Sequence, residues 1–140
     1  MKLHANDGDL NILIECRDQE EKEKLLHRLR TLQDRIPALR NDQTFMIELQ
    51  DVFYFDTVDK KTFLYTNEAV YEVRLRLYEI EEQLDERFIR INKSCILNFD
   101  KISHIRADLG GRILCTLCNA ENLRVSRQYA LDFKKKLGGQ

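Results

Sequence analysis

The spacing of hydrophobic residues changes character once along this chain, near residue 41. Before that point, residues 10–16 are β-rich and partly alternating, which predicts a strand. Asp18 with Glu21 three positions later predicts a helix start. Leu25, Leu29, Leu32 and Ile36 then recur at spacings of 4, 3 and 4, one stripe on a helix. Early Glu residues and the late Arg35 suit the two ends of its dipole. Pro37 and Asn41-Asp42 break the pattern. From Thr44 onward the periods are those of short strands. Candidates are 45–49, 52–55, 63–66, 69–73, 88–91, 102–106, 112–117 and 123–125. The polar run 57–61 makes a hairpin of the second and third, and Gly110-Gly111 makes another. Leu77, Ile80 and Leu84 are spaced for a helix with Glu79, Glu81 and Glu82 on its wet side, and residues 128–137 close the chain as a second one. The fold class read here is mostly β with short helices (α+β) over 41–140, preceded by an N-terminal β-α attachment, 1–40, too small to build a core alone.

Composition narrows the class. The chain has 140 residues, 43% of them hydrophobic and 34% charged, a soluble globular mixture rather than a disordered one. No apolar run approaches the roughly 20 residues that a bilayer crossing needs. The polar opening, Met1 to Asp9, lacks the apolar region of a signal peptide, so a cytoplasmic protein is expected. Net charge is −1 overall but unevenly divided. Residues 1–85 carry 12 Lys+Arg and 19 Asp+Glu, a net of −7, whereas residues 86–140 carry 11 and 5, a net of +6. A basic half suits an anionic partner, although charge can also fall unevenly on any solvated surface.

Cys16, Cys95, Cys115 and Cys118 are expected to be reduced and buried. Cys115 and Cys118 form a C-x-x-C, but positions i and i+3 of a strand face opposite ways and do not converge on one metal. No phosphate loop and no G-x-S-x-G occurs, and His4, His27 and His104 are scattered. No catalytic residue, no metal and no cofactor is expected.

Three polar, cationic stretches fall where strands turn: Asp59-Lys60-Lys61-Thr62, Arg90-Ile91-Asn92-Lys93-Ser94 and Arg124-Val125-Ser126-Arg127-Gln128. Side chains at such junctions project off a sheet end. Lys and Arg there can pair with phosphates, and Arg can donate two bonds to a guanine edge. Ser126, just before the last helix, can cap it and leave amide donors facing an anion.

The same stretches resemble a known family. Asp51 to Asp56, Tyr71-Glu72-Val73-Arg74 with 77–84, Phe88-Ile89-Arg90-Ile91-Asn92-Lys93-Ser94, Asn98-Phe99-Asp100-Lys101-Ile102 and Val125-Ser126-Arg127-Gln128-Tyr129 occur in that order. Together they resemble the LytTR family of bacterial DNA-binding domains over residues ~44–137. The resemblance implies short antiparallel sheets rather than a helix-turn-helix. It implies a sequence-specific transcription regulator, with loops entering successive major grooves of double-stranded DNA and two copies on paired sites.

Position by position, the resemblance makes Lys93 and Arg127 the leading base-reading candidates, with the hairpin contact near Lys61 or Thr62. Ser94 and Ser126 fit phosphate binding or local capping. Lys60, Arg90 and Asn92 are secondary DNA-binding candidates. Arg90 lies on the same side of its strand as Phe88, which also suits an ion pair. Relatives often carry a phospho-receiver, for which ~40 residues leave no room, so a stand-alone regulator is expected. Residues 1–40 then become candidates for sensing or for a homodimer through Leu25, Leu29, Leu32 and Ile36. The rival readings are a cytosolic protein-interaction module that partners a membrane sensor without binding DNA, and a small-ligand-sensing β domain.

Overall fold

The computed structural model describes residues 20–23 and 34–138. The chain divides into two units, 1–35 and 36–140. In the first, residues 20–23 are helical. The strand expected at 10–16 and Leu25, Leu29 and Leu32 lie outside the described residues.

The second unit holds ten strands and two helices. The strands are β1 (Arg35–Arg40), β2 (Gln43–Glu48), β3 (Val52–Val58), β4 (Lys61–Thr66), β5 (Val70–Val73), β6 (Phe88–Asn92), β7 (Cys95–Asn98), β8 (Ile102–Ala107), β9 (Ile113–Leu117) and β10 (Asn122–Val125). The helices are α1 (Leu77–Gln83) and α2 (Arg127–Gly138). Seven strands form one sheet in the order β2-β1-β5-β4-β3-β7-β6, and the remaining three form a second in the order β10-β9-β8. The mostly β expectation holds.

The larger sheet buries apolar side chains on both faces. On one side Ile36, Val52, Phe55, Leu64, Val73 and Ile96 pack with Leu77 and Ile80 of α1. On the other, Tyr54, Ile91, Cys95 and Leu97 pack with Ile113, Cys115, Leu117 and Val125 of the small sheet and Ala130 and Phe133 of α2. β7 supplies both cores, Ile96 to the first and Cys95 and Leu97 to the second. A strand buried on both faces shows an unbroken apolar run instead of alternation, so its period gives no signal.

Ile36 corrects the helical stripe. It is 3% exposed, in strand β1, where Ile36 and Ala38 point inward and Arg35 and Pro37 outward. The period over 35–38 is therefore 2, and Pro37 removes an amide that a helix interior would need. A residue so buried is unavailable to a dimer seam. Residues 35–40 are thus a strand of the larger sheet, with Leu39 opposite Glu72 of β5.

Asn98 ties the two ends of this architecture together. Its side chain is fully buried, its Nδ2 donates to Val52 O at 2.8 Å, and its Oδ1 accepts from Asp100 N at 3.0 Å. One amide thereby satisfies a buried carbonyl on β3 and caps the single 3-10 turn at Phe99–Lys101 that leads into β8.

Candidate nucleic-acid interface

β3 and β4 meet in a two-residue turn. Val58 pairs with Lys61, and Asp59 and Lys60 between them both take positive φ, 51° and 66°. Two left-handed residues are what a tight hairpin needs to match strand twist. Lys60 and Lys61 are exposed at its tip. β6 and β7 are joined through Lys93-Ser94, with Lys93 exposed. The third segment is the junction where β10 ends at Val125 and α2 begins at Arg127, which is also exposed.

Main-chain hydrogen bonds join these three segments. Thr57 N, at the end of β3, donates to Ser94 O at 2.8 Å. Ser126 N donates to Ile91 O at 2.9 Å, seating the start of α2 on the end of β6. Asn92 Nδ2 reaches Arg124 O at 3.5 Å, a long bond across the same seam. The β3–β4 tip, the β6–β7 tip and the β10–α2 junction are thus successive neighbours along one edge.

The family model for the LytTr DNA-binding domain matches residues 42–138. This chain belongs to the LytTR family. The LytTr DNA-binding domain of a putative methyl-accepting/DNA response regulator from Bacillus cereus has a similar structure, with a TM-score of 0.72 and 30% identity over 75% of this chain and 97% of that one. An uncharacterized HTH-type transcriptional regulator of Staphylococcus aureus (strain NCTC 8325 / PS 47) is 35% identical over 92 residues, 66% of this chain and 63% of its own length. The sensory transduction protein LytT of Enterococcus faecalis (strain ATCC 700802 / V583) is 29% identical over 104 residues, 74% of this chain and 43% of its own. This chain therefore spans about two thirds or less of the curated relatives it matches. The two helices of the second unit are separated by five strands, so among its described residues no helix-turn-helix forms.

Within the LytTR domain the nine candidate residues separate into groups. Lys60, Lys61, Lys93 and Arg127 are exposed at the three tips. Thr62 is not available. It is only 5% exposed, paired with Thr57 on one side and Val73 on the other, and it shares the inward face of β4 with Leu64. Strand alternation removes it from the contact set.

Arg90, Asn92 and Ser94 build the β6–β7 tip. Arg90 Nε donates to Asn92 O at 2.9 Å and its Nη2 to Lys93 O at 2.5 Å, while Nη1 pairs with Glu81 of α1 at 3.1 Å. Asn92 Oδ1 accepts from Ser94 N at 2.9 Å and lies 3.1 Å from Ser94 Oγ. Burial raises the pKa of the neighbouring Asp56 carboxyl, against the opposing influence of the Ser94 side chain and the Thr57 backbone. Ser126 is partly buried at the N-terminal end of α2, and its carbonyl accepts from Tyr129 N at 3.0 Å.

Two contributors had little sequence signal. Arg124 is exposed beside Lys93's turn but pairs with Asp108 at 2.8 Å, and a backbone bond from Leu109 together with that arginine holds the Asp108 carboxyl below the usual carboxylate range. Gly111 has φ +78°, and a Cβ there would stand 3.1 and 3.2 Å from Arg127 Cγ and Cδ. The stem of Arg127 thus lies over the glycine, and the Gly110-Gly111 pair, read only as a turn, also makes room for a tip side chain.

Cys95 and Cys115 are buried in the same core, and Cys118 is exposed, which corrects the expectation that it is buried; Cys16 lies outside the described residues. Burial pushes the Cys115 thiol up to about 11 and raises Cys95 further, so both stay protonated at neutral pH. Among the described residues no group of His, Cys, Asp or Glu is arranged to hold a metal, and no helix is long and apolar enough to cross a membrane.

Proposed function

We propose that this LytTR domain is a sequence-specific double-stranded DNA-binding regulator of transcription. It presents Lys61, Lys93 and Arg127 to successive major grooves, as one of two copies on paired sites. The observation that carries this reading is the hydrogen-bonded row of three exposed cationic tips along one edge. Lys60 supplies a point charge for phosphate, Lys61 and Lys93 reach toward base edges, and Arg127 supplies the planar fork that matches a guanine edge. The first turn of α2 contains no acidic residue, so no carboxylate within that turn offsets Arg127 at the positive end of the helix. A cation there is unfavourable in the free protein and is relieved by an anion, which supports an anionic partner.

The reading places Ser94 and Ser126 at the phosphates flanking the tips. Arg90 and Asn92 hold the backbone and do not touch DNA. Function follows from binding alone, without catalysis, cofactor or metal, in the cytoplasm.

The test is selection of bound fragments from random duplex DNA, followed by titration of Lys60→Ala, Lys61→Ala, Lys93→Ala and Arg127→Ala at several salt concentrations. Arg127→Ala should relax preference at one base pair by roughly 1–3 kcal/mol. Lys60→Ala should weaken all sequences alike and reduce the salt slope by about 0.9. Failure of the parent protein to enrich any sequence would refute the assignment.

A further inference from the structure

One side chain makes three bonds, two of which end on the β6–β7 tip. Arg90 donates to the carbonyls of Asn92 and Lys93, the two residues that set the direction in which Lys93 leaves the backbone, and its remaining arm is held by Glu81 on α1. We propose that the Glu81–Arg90 pair is a positioning device for Lys93, which fixes the base that Lys93 reads without itself contacting DNA. This rests on the reading of Lys93 as a base-contacting residue given above.

The chemistry favours positioning over phosphate contact. A guanidinium has five N–H donors in a rigid fork. Here Nε, Nη1 and Nη2 each hold a partner, and two of the partners are main-chain carbonyls of the tip. Those three bonds fix the orientation of the guanidinium, so a phosphate could meet only the two N–H groups left over. Lys93 needs such support because its own four-carbon stem is flexible, so discrimination depends on where its Cα–Cβ bond points. The other end of the turn is already tied, by Ser94 O to Thr57 N and by Asn92 Oδ1 to Ser94 N. Arg90 closes the end that those bonds leave open. Glu81 gives the arginine a fixed partner on an element outside the sheet, which links α1 to the β6–β7 tip.

Salt dependence separates positioning from direct contact. The full chain and its Lys93→Ala, Arg90→Gln, Arg90→Lys and Glu81→Gln variants are titrated against the selected site and against single-base changes of it, from low to moderate salt. Arg90→Gln should lower discrimination by roughly fivefold or more at the base pair that Lys93→Ala no longer distinguishes, and at no other. Its salt slope should match the parent. Adding it to Lys93→Ala should bring no further loss of discrimination. Arg90→Lys, which keeps the charge but cannot hold both carbonyls and Glu81, should behave like Arg90→Gln. Glu81→Gln should lower discrimination at the same base pair by a smaller factor, and it carries the test if Arg90→Gln does not fold.

A fall in slope of about 0.9 with uniform weakening would make Arg90 a phosphate contact and overturn the inference. Lost discrimination in Lys93→Ala with none in folded Arg90→Gln, or in Glu81→Gln where Arg90→Gln fails to fold, removes this inference alone. Unchanged discrimination in Lys93→Ala removes both it and the base-reading role of Lys93.

Discussion

Truncating Asn98 to alanine removes two bonds at once, one of them to a fully buried carbonyl. Asn98 is fully buried, and its acceptor, the carbonyl of Val52, belongs to a residue that is also 0% exposed. Leaving that carbonyl unpaired costs about 1–3 kcal/mol. Loss of the cap on Asp100 N adds about 0.5–2 kcal/mol, by analogy with other capping side chains. Asn98→Ala should therefore destabilise the domain by roughly 3 kcal/mol, lowering the thermal midpoint by roughly 10–20 °C for a unit of this size. Urea denaturation followed by far-UV circular dichroism measures it. Asn98→Asp is the companion variant. It keeps an acceptor for Asp100 N but faces the Val52 carbonyl with a buried carboxylate, whose pKa must rise. A raised folded-state pKa gives stability that is present at low pH and lost as pH increases. Asn98→Asp should thus recover toward the parent on acidification, whereas Asn98→Ala should not. A loss below about 1 kcal/mol for Asn98→Ala would show that the carbonyl finds another partner and that the bridging argument is wrong.

Other outcomes follow from the tips and their supports. Gly111→Ala combines a positive φ with a Cβ against the Arg127 stem, so it should cost roughly 1–2 kcal/mol of stability and also weaken preference at the base pair assigned to Arg127; a melt paired with a binding titration reads both. Asp42→Gly should stabilise the domain by up to about 1 kcal/mol, because Asn41 and Asp42 turn β1 into β2 at φ 52° and 64°, conformations that glycine adopts without strain. Asp56→Asn should stabilise at pH 7, since burial raises the Asp56 pKa and its charged form is the disfavoured one. That gain should shrink as pH falls toward 4 and the parent carboxyl protonates, and a pH series of denaturation midpoints gives the sign. A homodimer built on Leu25, Leu29 and Leu32 requires Leu29→Glu to halve the mass measured by light scattering on the full chain; an unchanged mass would place any dimer contact elsewhere.

Much of the domain was legible because apolar, β-rich runs and turn residues agree along β2 to β6 and β8 to β10. The exceptions have physical causes. β7 gave no periodic signal because Cys95, Ile96 and Leu97 serve two cores. Ile36 completed a helical spacing by coincidence, while the alternation of Ile36 with Ala38 was hidden by the proline between them. Thr62 was misplaced although Leu64 two residues on gave its face away; the turn was read over 57–61 and the strand from 63, whereas only Asp59 and Lys60 turn and β4 starts at Lys61. Lys61, Lys93 and Arg127 could be named from sequence, but their adjacency could not. It rests on bonds such as Thr57 N to Ser94 O and Ser126 N to Ile91 O, and main-chain groups carry no residue signature. Arg90 was legible as a residue with an ion-pair alternative, and Glu81 supplies that partner.

Those main-chain bonds have a consequence for how such a domain can diverge. The amides and carbonyls that align the edge are present whatever side chains stand at 61 and 93. Substitution at these positions can alter the text that is read while leaving the reading frame standing. New operators become reachable one residue at a time, with little passage through an unstable intermediate. Position 127 is less free, because its stem shares space with Gly111.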